Sequence, residues 1–274
     1  MKKLSIREVQ LKAVEILVYI DKICRRENLR YSIFYGSLIG VERHEGFIPW
    51  DDDVDIVMPR PDYNRLMEIL SRDKEYILMY SGNRSDYRYP FAKLVDSNTF
   101  IKSRQYFNGE EKDLGVFVDI FPLDGLPEAD EDRVALWERA EQYRLNMMDT
   151  IDHCYARSFT LIKSLLKLLI RYPHHRKLLS EGDSSYWCDK YENTVKSVSF
   201  GDTTKCGFFD LANQDCGVFK VEWFDDFDEV DFEGYKLKAI KERADFLEIR
   251  YGDYMELPPE NERVTHHPYT FFEK

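Results

Sequence analysis

The chain reads as an α/β protein, with a mixed sheet flanked by helices and a helical or mixed C-terminal part packed against it. Three observations predict this. An amphipathic helix opens the chain. Two short β-rich segments then bracket a helical one, and a further apolar strand lies near residue 120. Hydrophobic residues make up 43% of 274, enough for a substantial core.

The opening helix begins at Ser5-Ile6-Arg7-Glu8, a capping box with Ser at the N-cap and Glu three residues on. Val9, Ala13, Ile16, Ile20 and Ile23 then recur at helical spacing, and the stripe ends before Asn28. Its expected role is to pack beside the strand that follows.

Tyr31 to Tyr35 is aromatic and β-branched enough to form a short strand. Gly36-Ser37 breaks it and opens a helical segment, LIGVERHE. After Pro49 a second strand is expected to begin with Asp51-Asp52-Asp53-Val54-Asp55 and to close on Ile56, Val57 and Met58. Strand alternation would aim Asp51, Asp53 and Asp55 to one side. Carboxylates held that close repel one another unless a cation lies between them. Hard oxygen ligands suit Mg²⁺ or Mn²⁺, which in turn gather phosphate oxygens. A Gly-Ser turn at a helix start suits phosphate as well, through backbone N–H groups and the helix dipole. Either half alone has a bland reading, an ordinary turn or a solvated acidic loop. Together, beside core-like Trp50 and Ile56–Met58, they predict a nucleotide-processing site.

Arg43 and His44 follow the turn by about two helical turns. They are either an exposed basic pair at a helix C-terminus or a phosphate clamp. Tyr63 to Leu70 has helical spacing. Tyr76–Tyr80 and Phe91–Val95 read as strands, and Lys93 interrupts the second, either at a solvent edge or reaching into the site. In GVFVDIFPLD, Gly115–Asp124, Asp119 is a carboxylate inside an apolar strand that Pro122 is expected to end. It would need a partner, and a cation shared with Asp53 and Asp55 would provide one. Asp124 reads as a turn residue beside Gly125.

These residues resemble the LicD family of phosphocholine transferases, relatives of the fukutin group. The resemblance rests on Gly36-Ser37 and on the run Arg43-His44-x-Gly46-Phe47-Ile48-Pro49-Trp50-Asp51-Asp52-Asp53-x-Asp55-Ile56. Phe91–Leu94, Phe117–Asp124, Tyr251–Tyr254 and Pro258-Pro259 extend it. It implies a nucleotidyltransferase fold. It also implies transfer of phosphocholine, or a related phospho-alcohol, from a CDP-linked donor such as CDP-choline. The acceptor would be a hydroxyl of a cell-surface glycan precursor such as teichoic acid or lipopolysaccharide, and CMP would leave. On this reading Asp53, Asp55 and Asp119 hold Mg²⁺ (or Mn²⁺), Gly36 and Ser37 hold donor phosphates, and Arg43, His44 and Lys93 contact substrate. Nucleotidyl transfer proper, metal-dependent sugar transfer and a degenerate binding protein are the alternatives.

The rest of the chain says less. A charged helix is expected from Glu128 to His153 with Val134, Trp137 and Leu145 inward. Between His153 and Ser180 there are no acids, while Lys163, Lys167 and Arg171 recur every four residues among leucines. This is either a buried helix with one solvated basic stripe or an interfacial helix, with residues 157–177 touching anionic membrane or a lipid-linked acceptor. Short strands and turns are expected over 181–235, with Asp225–Asp231 a solvated loop. A last helix is expected over Leu237–Tyr251, stopping at Gly252. His266 and His267 are left unassigned. The division suggested is a catalytic core over 1–127 and a second part over 128–274, or one continuous domain.

A formal charge of −12 argues against nucleic acid as a partner. Cys24, Cys154, Cys188, Cys206 and Cys216 are scattered without a CxxC pair, and Met1-Lys2-Lys3 leads straight into the first helix with no signal-like apolar run. Reduced thiols, no zinc site and a cytoplasmic location, at most at the inner face of a membrane, are expected.

Overall fold

The structure is a computed structural model that describes residues 1–108, 113–209 and 217–274; the sequence reading of Cys216 lies outside the described residues. β1 (Lys2–Lys3) precedes α1 (Ile6–Glu27), whose Ser5–Glu8 capping box forms and whose end is Asn28 in the left-handed conformation. The apolar stripe of α1 is buried, as its spacing predicts.

β2 (Ser32–Ile33), α2 (Tyr35–His44) and β3 (Asp55–Pro59) make the strand–helix–strand unit that the sequence implies. Two boundaries differ from expectation. Tyr35 already belongs to the helix, with φ of 48°. Asp51 to Val54 precede β3 as irregular chain, and only Asp55 of the acidic run lies on the strand. The loop between α2 and β3 folds tightly onto the helix. A Cβ at Gly40 would lie 2.2 Å from the Gly46 carbonyl oxygen, so no side chain fits there.

α3 (Arg60–Arg72), β4 (Ile77–Met79), β5 (Ala92–Val95), β6 (Thr99–Ser103) and β7 (Phe117–Leu126) complete the first part. The main sheet runs β2-β3-β7-β5-β4, with β3 parallel to β7 and the other neighbours antiparallel. This is the mixed α/β architecture the sequence predicts. Pro122 does not end β7. Asp119 donates its N–H to Val54 O on the β3 side, and alternation turns the Pro122 nitrogen to the other side. There β5 has stopped at Ile120 and the next neighbour begins at Asp124, so no ladder bond is missed. Asp124 is likewise not a turn residue. It is buried in β7 and paired with Arg60, whose Nε donates to it at 2.7 Å.

α4 (Asp130–Thr150), α5 (Leu161–Glu181) and α6 (Ser184–Val195) form a helical unit with its own small apolar clusters, Ala140, Tyr191 and Phe209 in one and Met147, Leu178 and Trp187 in the other. Leu145, expected inward, is exposed. α5 is not a buried helix with a solvated basic stripe. Arg171 turns toward the protein, onto Tyr155 O and Asp149, and the leucines face out.

β8 (Lys205–Gly207) pairs with β7 and with β9 (Phe219–Lys220). The hairpin β10 (Phe227–Phe232) and β11 (Tyr235–Ile240) overturns two expectations: the acidic stretch is a strand, and the last helix is only α7 (Arg243–Tyr251). Alternation explains the first, because Val230 and Phe232 point into the core while Asp231 and Glu229 face water. α7 ends at Gly252 with φ of 67°, the expected stop. β12 (Tyr269–Glu273) inserts between β1 and β6. Cys206, Phe208 and apolar residues between Phe219 and Phe271 thus share the core of the first part, and the division drawn at 127/128 is crossed by β8 and β12.

Candidate active site

Asp55 opens β3, and the parallel register sets it directly beside Asp119 of β7. Val54, one residue earlier, accepts the Asp119 N–H at 3.0 Å, which continues the ladder into the acidic run. Ser37 ties the other flank, its hydroxyl accepting the Asp55 N–H at 2.9 Å, while its own N–H goes back to Phe34 O. Ser37 is therefore a positioning residue in this arrangement, holding the acidic strand rather than presenting its N–H to a ligand.

The result is a carboxylate cluster. One oxygen each of Asp53, Asp55 and Asp119 lies within 4.8 Å of the others, and the same holds for Asp52, Asp53 and one ring nitrogen of His267. Burial raises the pKa of Asp55 well above the usual range, helped by repulsion from Asp53, Asp119 and Asp51. Asp51 is pushed up to about 9, by burial and then by Asp53. Asp119 is raised to about 6 by burial, against the pull of Lys93. An all-oxygen cluster in which each member repels the next is the donor set that a hard divalent cation fits.

Lys93 of β5 is not at a solvent edge. It is 1% exposed, and its ammonium donates to both Asp119 oxygens at 2.6 and 2.8 Å. The rings of Phe117, Tyr89 and Phe91 surround it at 3.7, 5.0 and 5.1 Å. Its charge is thus spent on Asp119 inside an aromatic cage, and it borders a second, smaller cavity of about 190 Å³.

The cluster opens into a cavity of about 540 Å³. Asp51, Asp53 and Asp55 all line it, as expected, although only Asp55 lies on a strand and irregular chain carries the other two. Gly36 lines it too, with its Cβ position 3.5 Å from an Asp51 oxygen. Arg43 and His44 do not. They sit in the last turn of α2, where Arg43 donates to Glu256 O. The basic side chains that border the cavity are Arg250 of α7, His266 and His267. Burial lowers the pKa of His267, but the hydrogen bond to Asp52 (3.2 Å) and the charge of Asp53 raise it overall.

Much of the rest of the lining is aromatic. Phe121 contacts Phe91 at 4.3 Å and Phe208 at 5.0 Å between ring centres, and Tyr35 and Tyr251 continue the lining. The Arg250 guanidinium lies over Tyr35 and Tyr251 at 6.0 and 5.8 Å.

A sequence model of the LicD/FKTN/FKRP nucleotidyltransferase domain matches residues 28–159, the span that carries Gly36, Asp53, Asp55, Lys93 and Asp119. Residues 28–159 thus form a LicD-family domain. The chain is 29% identical over 276 residues to the lipopolysaccharide cholinephosphotransferase LicD of Haemophilus influenzae, covering 97% of each chain. Uncharacterised proteins of Rickettsia prowazekii and Rickettsia typhi are 29% and 32% identical over 118 and 106 residues, 43% and 36% of this chain and 41% and 34% of theirs.

Sequence reasoning missed His267, Arg250 and the aromatic lining. The paired histidines and the motif Tyr251-Gly252-Asp253-Tyr254 were the available signals, but neither shows that its segment returns to residue 53. No helix among the described residues is long and apolar enough to cross a membrane.

Proposed function

We propose that this protein transfers phosphocholine from a CDP-linked donor to a hydroxyl of a lipid-anchored glycan, lipopolysaccharide being the acceptor class named for its relative. The observation that carries this is the pairing of carboxylates and aromatic rings in the lining of one cavity. The two halves of a CDP-alcohol with a quaternary ammonium call for these two surfaces. Its diphosphate needs a cation between it and the carboxylates, and its trimethylammonium needs aromatic faces.

Asp53, Asp55 and Asp119 would hold Mg²⁺ or Mn²⁺, which when bound supplies charge neutralisation for phosphate oxygens. The chain's own residues do the remaining work. Arg250 and His267 face the cavity as cations suited to a diphosphate. Phe121, Phe208 and Tyr251 seat the choline. Lys93 keeps Asp119 ionised and aimed, and the Ser37 hydroxyl holds the backbone at Asp55. The acceptor oxygen attacks the phosphorus that carries choline, the bond to CMP breaks, and the hydroxyl proton passes to a carboxylate.

The test is incubation with CDP-choline, Mg²⁺ and lipopolysaccharide, followed by CMP quantitation and mass spectrometry of the glycan. CMP release with a phosphocholine mass increment supports the proposal. Pyrophosphate release from CTP in its place would make the protein a nucleotidyl transferase proper, and turnover of a UDP-sugar would make it a sugar transferase. Teichoic acid, run beside lipopolysaccharide, decides between acceptors.

A further inference from the structure

α5 presents its apolar side to solvent. Ile162, Leu165, Leu166, Leu169 and Ile170 recur at i, i+3, i+4, i+7 and i+8, one face of the helix, and Ile162, Leu169 and Ile170 are 74, 74 and 75% exposed. Phe159, just before the helix, is exposed as well. The opposite side packs on the protein through Ser164, His175 and Leu178, with Arg171 on Tyr155 O and Lys167 on Arg157 O. A row of large apolar side chains with no cover among the described residues marks a docking surface.

Charge identifies what covers it. From His153 to Ser180 there are six Lys and Arg and no Asp or Glu, in a chain whose net charge is −12. Lys163 stands exposed at the rim of the apolar face, and Arg176 and Lys177 continue that face about two turns further along. A two-fold contact with a second copy would set this acid-free segment against its own duplicate, like charge on like charge. An anionic lipid surface takes both parts, the aliphatic side chains entering the acyl boundary and the cations meeting headgroups.

We infer that α5 is a membrane-docking helix that lies flat on an anionic bilayer, with Ile162, Leu166, Leu169 and Ile170 inserted and Lys163, Arg176 and Lys177 at headgroup level. The inference goes beyond the proposed transferase activity and does not need it. The geometry also relates the two. α5 is seated on the turn Cys154–Ala156, and Cys154 lines the smaller cavity that reaches Lys93 behind the carboxylate cluster.

The experiment is co-sedimentation of the full chain with vesicles of pure phosphatidylcholine or of phosphatidylcholine with 30–40% phosphatidylglycerol, roughly a bacterial anionic content, without donor or acceptor. The expected result is binding to the anionic vesicles, weakened by salt. It should fall at least about tenfold in Ile162→Ser/Leu169→Ser/Ile170→Ser and less in Arg176→Gln/Lys177→Gln. The triple variant should melt within about 2 °C of wild type, because exposed side chains contribute little to stability. Equal binding of the triple variant, or no preference for anionic vesicles, would overturn the inference. So would a dimer, seen by light scattering without lipid, that the triple variant converts to monomer, since a second copy would then be the cover. CMP release from CDP-choline with a soluble acceptor fragment reads the transferase proposal separately, and loss of one leaves the other standing.

Discussion

Asp55 and Asp119 stand side by side on neighbouring parallel strands, with Lys93 bonded to one of them. Like charges opposite one another destabilise a sheet, and one ammonium balances only one of the two. The arrangement crowds two buried carboxylates, and the proposed cation would relieve that repulsion.

Asp55→Asn is expected to raise the melting temperature of the cation-free protein while abolishing transfer. It removes a buried carboxylate that Asp53, Asp119 and Asp51 all oppose. Thermal melts in EDTA, with CMP release measured beside them, check this. A variant that melts lower than wild type would mean that the cluster is not strained.

Mg²⁺ should stabilise the wild type by about 2.7 kcal/mol at a hundred times its dissociation constant. The shift should vanish in Asp53→Asn/Asp55→Asn. Titration of Mg²⁺ against both proteins by calorimetric melting makes the comparison, and an equal shift in the double variant would remove the cluster as the cation site.

The pH dependence follows from Asp51. Its pKa rises on folding, to about 9, so the native state holds that proton more tightly than the unfolded chain does. The stabilisation linked to the proton is fully present below the ordinary carboxylate range and is lost as pH rises toward 9. Melting temperatures of wild type and Asp51→Asn in EDTA should therefore diverge in favour of the variant between about pH 5 and pH 9. Parallel curves would contradict the burial of this carboxyl.

Lys93→Met leaves Asp119 buried without its partner and is expected to cost about 3–5 kcal/mol. Arg60→Met, at the buried pair with Asp124, should cost a similar amount. The two separate at the site. Below the transition, Arg60→Met should retain CDP-choline binding, while Lys93→Met should lose transfer even where folded. Urea denaturation with isothermal titration of CDP-choline reads both.

Phe208→Leu should weaken CDP-choline binding by about three- to thirtyfold, the range of a lost cation–π contact, and leave CTP binding within about twofold. Competition titrations with the two nucleotides check the ratio. Equal loss for both would place the ring against the nucleotide instead of the choline.

Much of the site was legible before any fold was known. A Gly-Ser turn at a helix start and an alternating acidic run are local patterns with a local physical meaning, and Asp119 was visible as a charge inside an apolar strand. The misreadings have local causes too. Lysine in a strand has one charge whichever way it faces, so sequence could not tell that Lys93 is spent on Asp119. Val230 and Phe232 alternate with acids, and the acids drew attention first. Leu237–Ile240 fits a helical stripe or a strand equally well over so short a run.

By itself the sequence determined the α/β class, the capped first helix and the strand–helix–strand unit that carries the carboxylates, because backbone propensity and side-chain period are written in neighbouring residues. It also marked the reversal of charge over 153–180. Only the tertiary structure decided which face of α5 meets water, since the helix shows apolar and basic stripes alike and the packing of Ser164, His175 and Leu178 chooses between them. It alone brought Arg250, His267 and Phe208 to Asp53, across separations of about 150 to 210 residues. Contacts that distant are set by how the sheet and its covering helices close around one core, and no short stretch of chain records them.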